Sequence, residues 1–323
     1  MDARAFHPPH LAIALLCAAL AGCAALPPLP QPGEEERRRA ELAAQQRQAA
    51  RPAALCSAQP GTPFVMRHKV LVLAMAVRNA GEAADLPGLS TAWSRALQQR
   101  LQETDRFIVR DGSAFGIDTQ QPLRPQISAL AARFDAQWVV VGQVGSLAYQ
   151  RGRIDLGALK PLPLPGGDRR VLEATLDIYD GHSGAPLRQL GHRAEIKGSV
   201  LNKGGVNLQG DFFASELGAA LDHLIGRQGE AIEDELACLP MQARIVRVSM
   251  PEIHIDAGFT SNLQPGDRLR VLQRHGGTAE GGWTEKAYGD LVIRQVLPES
   301  AVGHLDHAGT PPDWRFNGYV RGW

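Results

Sequence analysis

The side chains that could do chemistry are few and scattered. Gly181-His182-Ser183-Gly184-Ala185 has the outline of a G-x-S-x-G turn, in which a strained serine is presented as a nucleophile. Its fifth position is Ala185, and the segment lies between two stretches of strand character, whereas a nucleophile elbow joins a strand to a helix; a hairpin turn is expected. His304, Asp306 and His307 offer imidazole and carboxylate ligands, but His304 and Asp306 at i, i+2 supply two ligands without a fixed third, so a solvated loop is expected. His254 and Asp256 flank Ile255 and share one strand face; a structural strand accounts for them better than a metal does. The glycine-rich GGVNLQG around Gly204 lacks the Lys-Ser/Thr ending of a phosphate loop. No catalytic residue, metal site, cofactor or small-molecule substrate follows from these groups.

The four thiols are more informative. Leu20-Ala21-Gly22-Cys23 closes the apolar run LAIALLCAALAG, which is too short to span a bilayer as a helix and has the length of a secretory signal region. Small residues just before Cys23 give a peptidase access to the backbone, and a thiol at the first mature position can take a lipid. The pattern resembles a bacterial lipoprotein lipobox, with residues 1–22 as signal peptide. The alternative is an ordinary cleavage site with an incidental cysteine. Each buried methylene of an acyl chain contributes about 0.8 kcal/mol, so several chains anchor a protein firmly. Ala24, where an Asp would retain many Gram-negative lipoproteins at the inner membrane, implies the periplasmic face of the outer membrane. Cys17 leaves with the leader, which leaves Cys56 and Cys238. In an oxidising compartment they are expected to form a bridge, worth at most about 5 kcal/mol for so long a loop; the alternative is two separate buried thiols.

Lys plus Arg and Asp plus Glu both number 34, so the chain has no net field to draw in a polyanion, and no basic run is interleaved with aromatics. Nucleic acid is not an expected partner. With 44% hydrophobic and 21% charged residues, the composition is globular, and 323 residues suffice for two modest domains.

Those domains follow a tether. Residues 23–55 run through LPPLPQPG and then a charged stretch in which Glu34 and Glu35 precede Arg38 and Arg39 by four residues; neither part has a wide apolar face. Residues 56–240 read as an α/β domain. KVLVLAMAV, Lys69 to Val77, is an apolar run of strand length, followed by a helix from Leu89 to Thr104 with Leu89, Trp93, Ala96, Leu97 and Leu101 inward. Phe107 to Val109 is a short strand, Pro125 to Phe134 a second helix with Ile127, Leu130, Ala131 and Phe134 inward, and Gln137 to Val144 a third strand. The β-α-β-α-β order calls for parallel pairing with helices packed on the sheet.

KPLPLPGG is too proline-rich for a central strand, so Leu162 and Leu164 are candidates for an apolar contact surface. Val171 to Tyr179 and Pro186 to Lys197 form an antiparallel hairpin, which makes the sheet mixed. Asp211 is the expected cap of a long helix, Phe212 to Leu239. From Met241 the pattern changes to short strands (ARIVRV, EIHID, DRLRVLQ, DLVIRQV), which implies a small twisted barrel or half-barrel over 241–323. Trp283, Trp314 and Trp323 stand in a Gly-rich carboxy-terminal region, where they plug the barrel end or anchor a partner; Trp283 and Trp314 join the candidate interaction surface.

The sequences VLVLAMAV, LPGLSTAWSRALQQRLQETDRFIVRD, ISALAARFDAQWVVVGQV and LEATLDIYDGHSGAPL, in that order, resemble the middle domain of the flagellar assembly protein T family. ARIVRVSMPEIHIDAGFTSNLQPGDRLRVLQ and GDLVIRQVLPESAVGHL resemble its carboxy-terminal domain. The resemblance covers about Val65 to Gly309. It implies a middle domain similar to the amino-terminal α/β domain of TolB, followed by a small β domain. It further implies a non-enzymatic role in flagellar assembly, in a periplasmic ring of further copies around the basal body, beside the L-ring and P-ring proteins. The family's separate amino-terminal domain is replaced here by the lipobox and tether, which puts stator recruitment in question. The other reading is a periplasmic lipoprotein adaptor for an envelope secretion or polymer-export system.

Overall fold

The computed structural model describes residues 66–154, 162–163, 167–197, 211–237, 239–249, 251–275, 284–306 and 318–322, all within one compact unit. Cys23, Cys56, Cys238, Leu164, Trp283, Trp314, Trp323, His307 and the segment around Gly204 lie outside the described residues, as does the side chain of Leu162.

The fold is α/β followed by a closed β-barrel. Strand β1 (His68–Leu73) is followed by the two-residue β2 (Ala76–Val77), helix α1 (Leu89–Glu103), β3 (Phe107–Gly112), α2 (Leu123–Phe134) and β4 (Trp138–Ser146). Short strands β5 (Tyr149–Gln150), β6 (Arg153–Ile154) and β7 (Leu162–Pro163) precede the hairpin of β8 (Arg169–Asp180) and β9 (Pro186–Lys197). Helix α3 (Glu216–Ala237) closes this part.

The sheet is mixed. β3, β1 and β4 are parallel, β8 lies antiparallel to β4, and β9 antiparallel to β8. Because neighbouring side chains along a strand point to opposite faces, β1 divides its apolar run between two layers. Val70 and Val72 pack with α1 and α3, whereas Leu71 and Leu73 pack with Ile127 and Ala131 of α2. Trp93 is buried in the first layer and its Nε1 donates to Gln228 Oε1 at 2.8 Å, which satisfies the indole against α3.

Two elements differ from what the sequence implies. The run Lys69 to Val77 is not one strand: it breaks at Ala74 and Met75, because serines of α1 take the backbone groups a neighbouring strand would have taken. Met75 N–H donates to Ser94 Oγ at 3.0 Å, Ser90 Oγ donates to Met75 O at 2.5 Å, and Ser94 Oγ donates to Leu73 O at 3.0 Å. The long helix begins at Glu216 and is not capped by Asp211, which opens a 3-10 turn, Asp211–Ala214. Ser215 Oγ accepts from Gly218 N–H at 3.0 Å and so fills the capping position.

The barrel contains β10 (Met241–Ser249), β11 (Glu252–Ile255), β12 (Arg268–His275), β13 (Thr284–Val296), β14 (Ala301–Asp306) and β15 (Gly318–Gly322), closed in the order β10-β11-β14-β13-β12-β15. Its interior is filled by Ile253, Ile255, Leu269, Val271, Leu291, Ile293 and Val320, with Met66 entering from the start of the described chain. β15 was not expected from the sequence. It pairs with both β10 and β12, so it converts an open sheet into a barrel without edges. Among the described residues, no helix is long and apolar enough to cross a membrane.

Candidate functional site

The groups with perturbed chemistry gather where the α/β part meets the barrel. Lys69 stands in β1, buried among apolar neighbours, and a buried ammonium must be paired. Its Nζ donates to the Asp135 carboxylate and to the backbone oxygen of Asp256. Asp135 ends α2 in the left-handed region, φ 52°, a conformation that Asp adopts more readily than most residues, and this turns its carboxylate toward the barrel. There Arg244 Nη2 donates to Asp135 Oδ1 at 3.0 Å, and Arg244 Nε donates to Asp256 Oδ2 at 3.0 Å. The Arg244 backbone N–H also donates to Asp256 Oδ1 at 2.6 Å. Arg110 of β3 lies 3.5 Å from Asp135 and 3.9 Å from Glu299.

The two carboxyl groups respond in opposite directions. Burial pushes Asp256 up to about 6, and the nearby negative charge of Asp135 adds to this against the attraction of Lys69. Burial acts on Asp135 as well, but hydrogen bonds from Lys69 and Arg244 overcome it and hold that carboxyl below the usual range.

A second cluster lies on the hairpin side. Arg274 of β12 reaches Asp180, at the end of β8, at 3.4 Å, and Glu285 of β13 at 3.6 Å. Its guanidinium lies 4.8 Å from the centre of the Tyr319 ring, and His182 stacks on the same ring at 5.7 Å and 27°. Burial lowers His182 to about 4, so the ring is neutral near pH 7. Burial and a hydrogen bond to Glu285 raise Tyr319 to about 12. Between the clusters is a cleft of ≈ 260 Å³, lined by Ala132 of α2 and Ala136 just past it, Gly181 and His182 of the hairpin, and Arg244, Arg274 and Tyr319 of the barrel.

Chemically this seam is a latch between two parts of one body: Arg244 and Arg274 of the barrel reach Asp135 and Asp180 of the α/β part, and Lys69 of β1 reaches the backbone oxygen of Asp256. Ser183 faces an acid: its Oγ donates to Asp180 Oδ1 at 2.7 Å. Gly184, with φ 66°, completes the tight turn from β8 to β9, where an added Cβ would lie 2.2 Å from Arg124 O. The segment is therefore the hairpin turn expected from the sequence. His254 is placed in β11, and Asp256 just beyond it turns to Arg244 instead of sharing a ligand set with His254. His304 is in β14, and Asp306 bonds Arg268. Among the described residues, no group of three or more His, Cys, Asp or Glu side chains is placed to hold a metal.

Sequence reasoning missed Lys69, Asp135, Arg244 and the Asp180–Arg274 pair. The available signal was Lys69 itself, a cation at the head of a buried apolar strand.

No family model matches the sequence, and no curated protein matches it. Solved structures with a similar arrangement include a hypothetical protein from Chlamydia trachomatis, 15% identical over 53% of this chain and 98% of that one, TM-score 0.35. The PelC dodecamer from Paraburkholderia phytofirmans is 16% identical over 55% of this chain and 94% of that one, TM-score 0.33. A lipoprotein from Neisseria meningitidis is 13% identical over 53% of this chain and 98% of that one, TM-score 0.27. At these scores none of the three bears on activity or partners.

Proposed function

We propose that this chain is a non-enzymatic, lipid-anchored protein of the bacterial envelope that acts by docking, as a component of the periplasmic ring around the flagellar basal body. The observation that carries the anchor is Leu20-Ala21-Gly22-Cys23 behind its apolar run. The flagellar assignment rests on the strand and helix segments that resemble flagellar assembly protein T, from VLVLAMAV to the barrel strands. Two features support docking over catalysis. The hairpin serine is held in a turn by an acid, and the perturbed carboxyls at the seam are engaged by Lys69 and Arg244. The barrel and the α/β part are tied by charge pairs, which suits a component that transmits position.

The test combines chemistry and imaging. Intact mass of the membrane-extracted protein is expected to show cleavage before Cys23 and an acylated amino terminus, and Cys23→Ser is expected to release the body from the membrane fraction. Deleting the gene is expected to abolish swimming and remove ring density near the L and P rings in cryo-tomograms. An unmodified Cys23 on an uncleaved leader would remove the anchor. Normal motility with unchanged rings, together with co-purification with an export pore, would replace the flagellar role by the adaptor role.

A further inference from the structure

Phe259 is 72% exposed and Leu297 44% exposed on a barrel whose interior is well filled, and unlike Val246 of β10, 60% exposed, they stand on turns that are joined to each other. The exposure is built in. The turn carrying Phe259 and the turn between β13 and β14 are fastened to each other: Phe259 N–H donates to Leu297 O at 2.8 Å, and Thr260 donates to Pro298 O through its N–H at 2.9 Å and its Oγ1 at 3.0 Å. Gly258 permits the approach, since a Cβ there would lie 2.1 Å from Leu297 O. Two bare backbones in contact hold the two apolar side chains outward as one knuckle.

The knuckle lies beside the first described residues of the chain. Arg67 N–H donates to Ser261 O at 3.2 Å, and Met66 is buried in the barrel interior. The first described residues thus meet the barrel at Ser261, two positions from Phe259. Charges of both signs border the patch, Arg67 with Asp105, and Arg110 between Asp135 and Glu299.

We propose that the Phe259–Leu297 knuckle is a membrane contact, seated in the interfacial layer of the lipid surface that holds the acylated Cys23. This rests on the lipid-anchor reading above. One phenyl ring and one isobutyl group bind a bilayer too weakly to recruit a free protein. Residues 23–65 can span at most about 150 Å, so an anchor at Cys23 keeps the body at a local concentration on the order of millimolar, where a weak contact becomes populated. Charges of both signs suit a zwitterionic surface, and an aromatic ring beside an aliphatic chain suits the boundary between headgroups and acyl chains.

Hydrogen exchange read by mass spectrometry tests the contact. Two forms are compared on phosphatidylcholine vesicles: the acylated native protein, and the full chain with Cys23→Ser and an amino-terminal histidine tag on vesicles doped with a nickel-chelating lipid. Held at the surface, amides of residues 258–262, Leu297, Glu299 and Ser300 are expected to exchange about tenfold more slowly, the factor equivalent to about 1.4 kcal/mol, while β12 is unchanged. Phe259→Ser with Leu297→Ser is expected to abolish that protection without lowering the melting temperature. Protection in the tagged form supports the contact even where mass shows Cys23 unmodified, a result that faults the anchor alone. Unchanged exchange in both forms overturns the proposal, and so does protection that appears in concentrated protein without lipid, which assigns the knuckle to a second copy.

Discussion

At the scale of single residues, the seam and its neighbours convert burial into pH dependence. His68 is buried against Trp138, whose Nε1 lies 3.3 Å from His68 Nδ1, and burial lowers the imidazole to about 4, with Arg106 acting in the same direction against a hydrogen bond that a protonated Nδ1 gives to Gln137 Oε1. The unfolded chain binds that proton near 6.5, so His68 contributes stability that is complete above pH 6.5 and lost as pH falls toward 4, on the order of 3 kcal/mol. Asp256 has the opposite sign. Its carboxyl, raised to about 6, contributes stability that is present below its unfolded value and lost as pH rises through 6. Urea unfolding at stepped pH is therefore expected to show stability rising from pH 4 to 6.5, more steeply in Asp256→Asn and less steeply in His68→Gln. A second expectation concerns Lys69. Lys69→Met leaves two carboxyl groups facing each other across a buried seam and is expected to cost about 3 kcal/mol. Adding Asp135→Asn, which keeps the left-handed backbone, is expected to recover most of it; equal losses in the single and double variants would show that the pairing is not what holds the seam.

At the scale of elements, apolar periodicity made most of the layout legible. Leu89, Trp93, Leu97 and Leu101 lie inward on α1, as their spacing dictates, and the β8–β9 hairpin shows Leu172, Ala174, Leu176 and Ile178 buried on one face. What was not legible depended on contacts distant in sequence. The break after Leu73 is imposed by Ser90 and Ser94, which look like neutral helix residues until the helix lies on the strand. The start of α3 is set by a close approach: a Cβ at Gly218 would lie 1.9 Å from Phe212 O, so glycine there lets the 3-10 turn fold back and makes Ser215 the cap. Asp211 looked the better cap because capping preference is local and this approach is not. Ser215→Ala is expected to destabilise the protein by about 1 kcal/mol. Gly218→Ala gains helix propensity of about 1 kcal/mol but forces the turn away, so it is expected to lower the thermal midpoint; a rise would show that the turn gives way freely. The site was less legible than the fold, because Asp135, Arg244 and Arg274 are ordinary charged residues until the two parts meet.

At the scale of the whole molecule, the question is whether the α/β part and the barrel unfold together. Two features couple them: the charge clusters at the seam, and Met66, which leaves the barrel interior directly into β1. β15 serves both. It closes the barrel between β10 and β12, and it carries Tyr319, on which His182 of the hairpin and Arg274 of β12 both pack. Removing residues 318–323 would strip β10 and β12 of one partner each and leave two open strand edges, which are templates for aggregation. It would also take the ring from under His182. Calorimetry of the intact chain is therefore expected to give one transition with equal calorimetric and van't Hoff enthalpies. The truncated chain is expected to give two, the first accompanied by loss of amide protection in β10 and β12 and by association at micromolar concentration. A variant that keeps β15 but loses the seam, Lys69→Met with Arg244→Gln and Arg274→Gln, separates the two causes. If it also melts in two steps while its barrel amides stay protected, the charge clusters carry the coupling; if it melts in one, the direct run from Met66 into β1 is sufficient and the seam serves alignment instead.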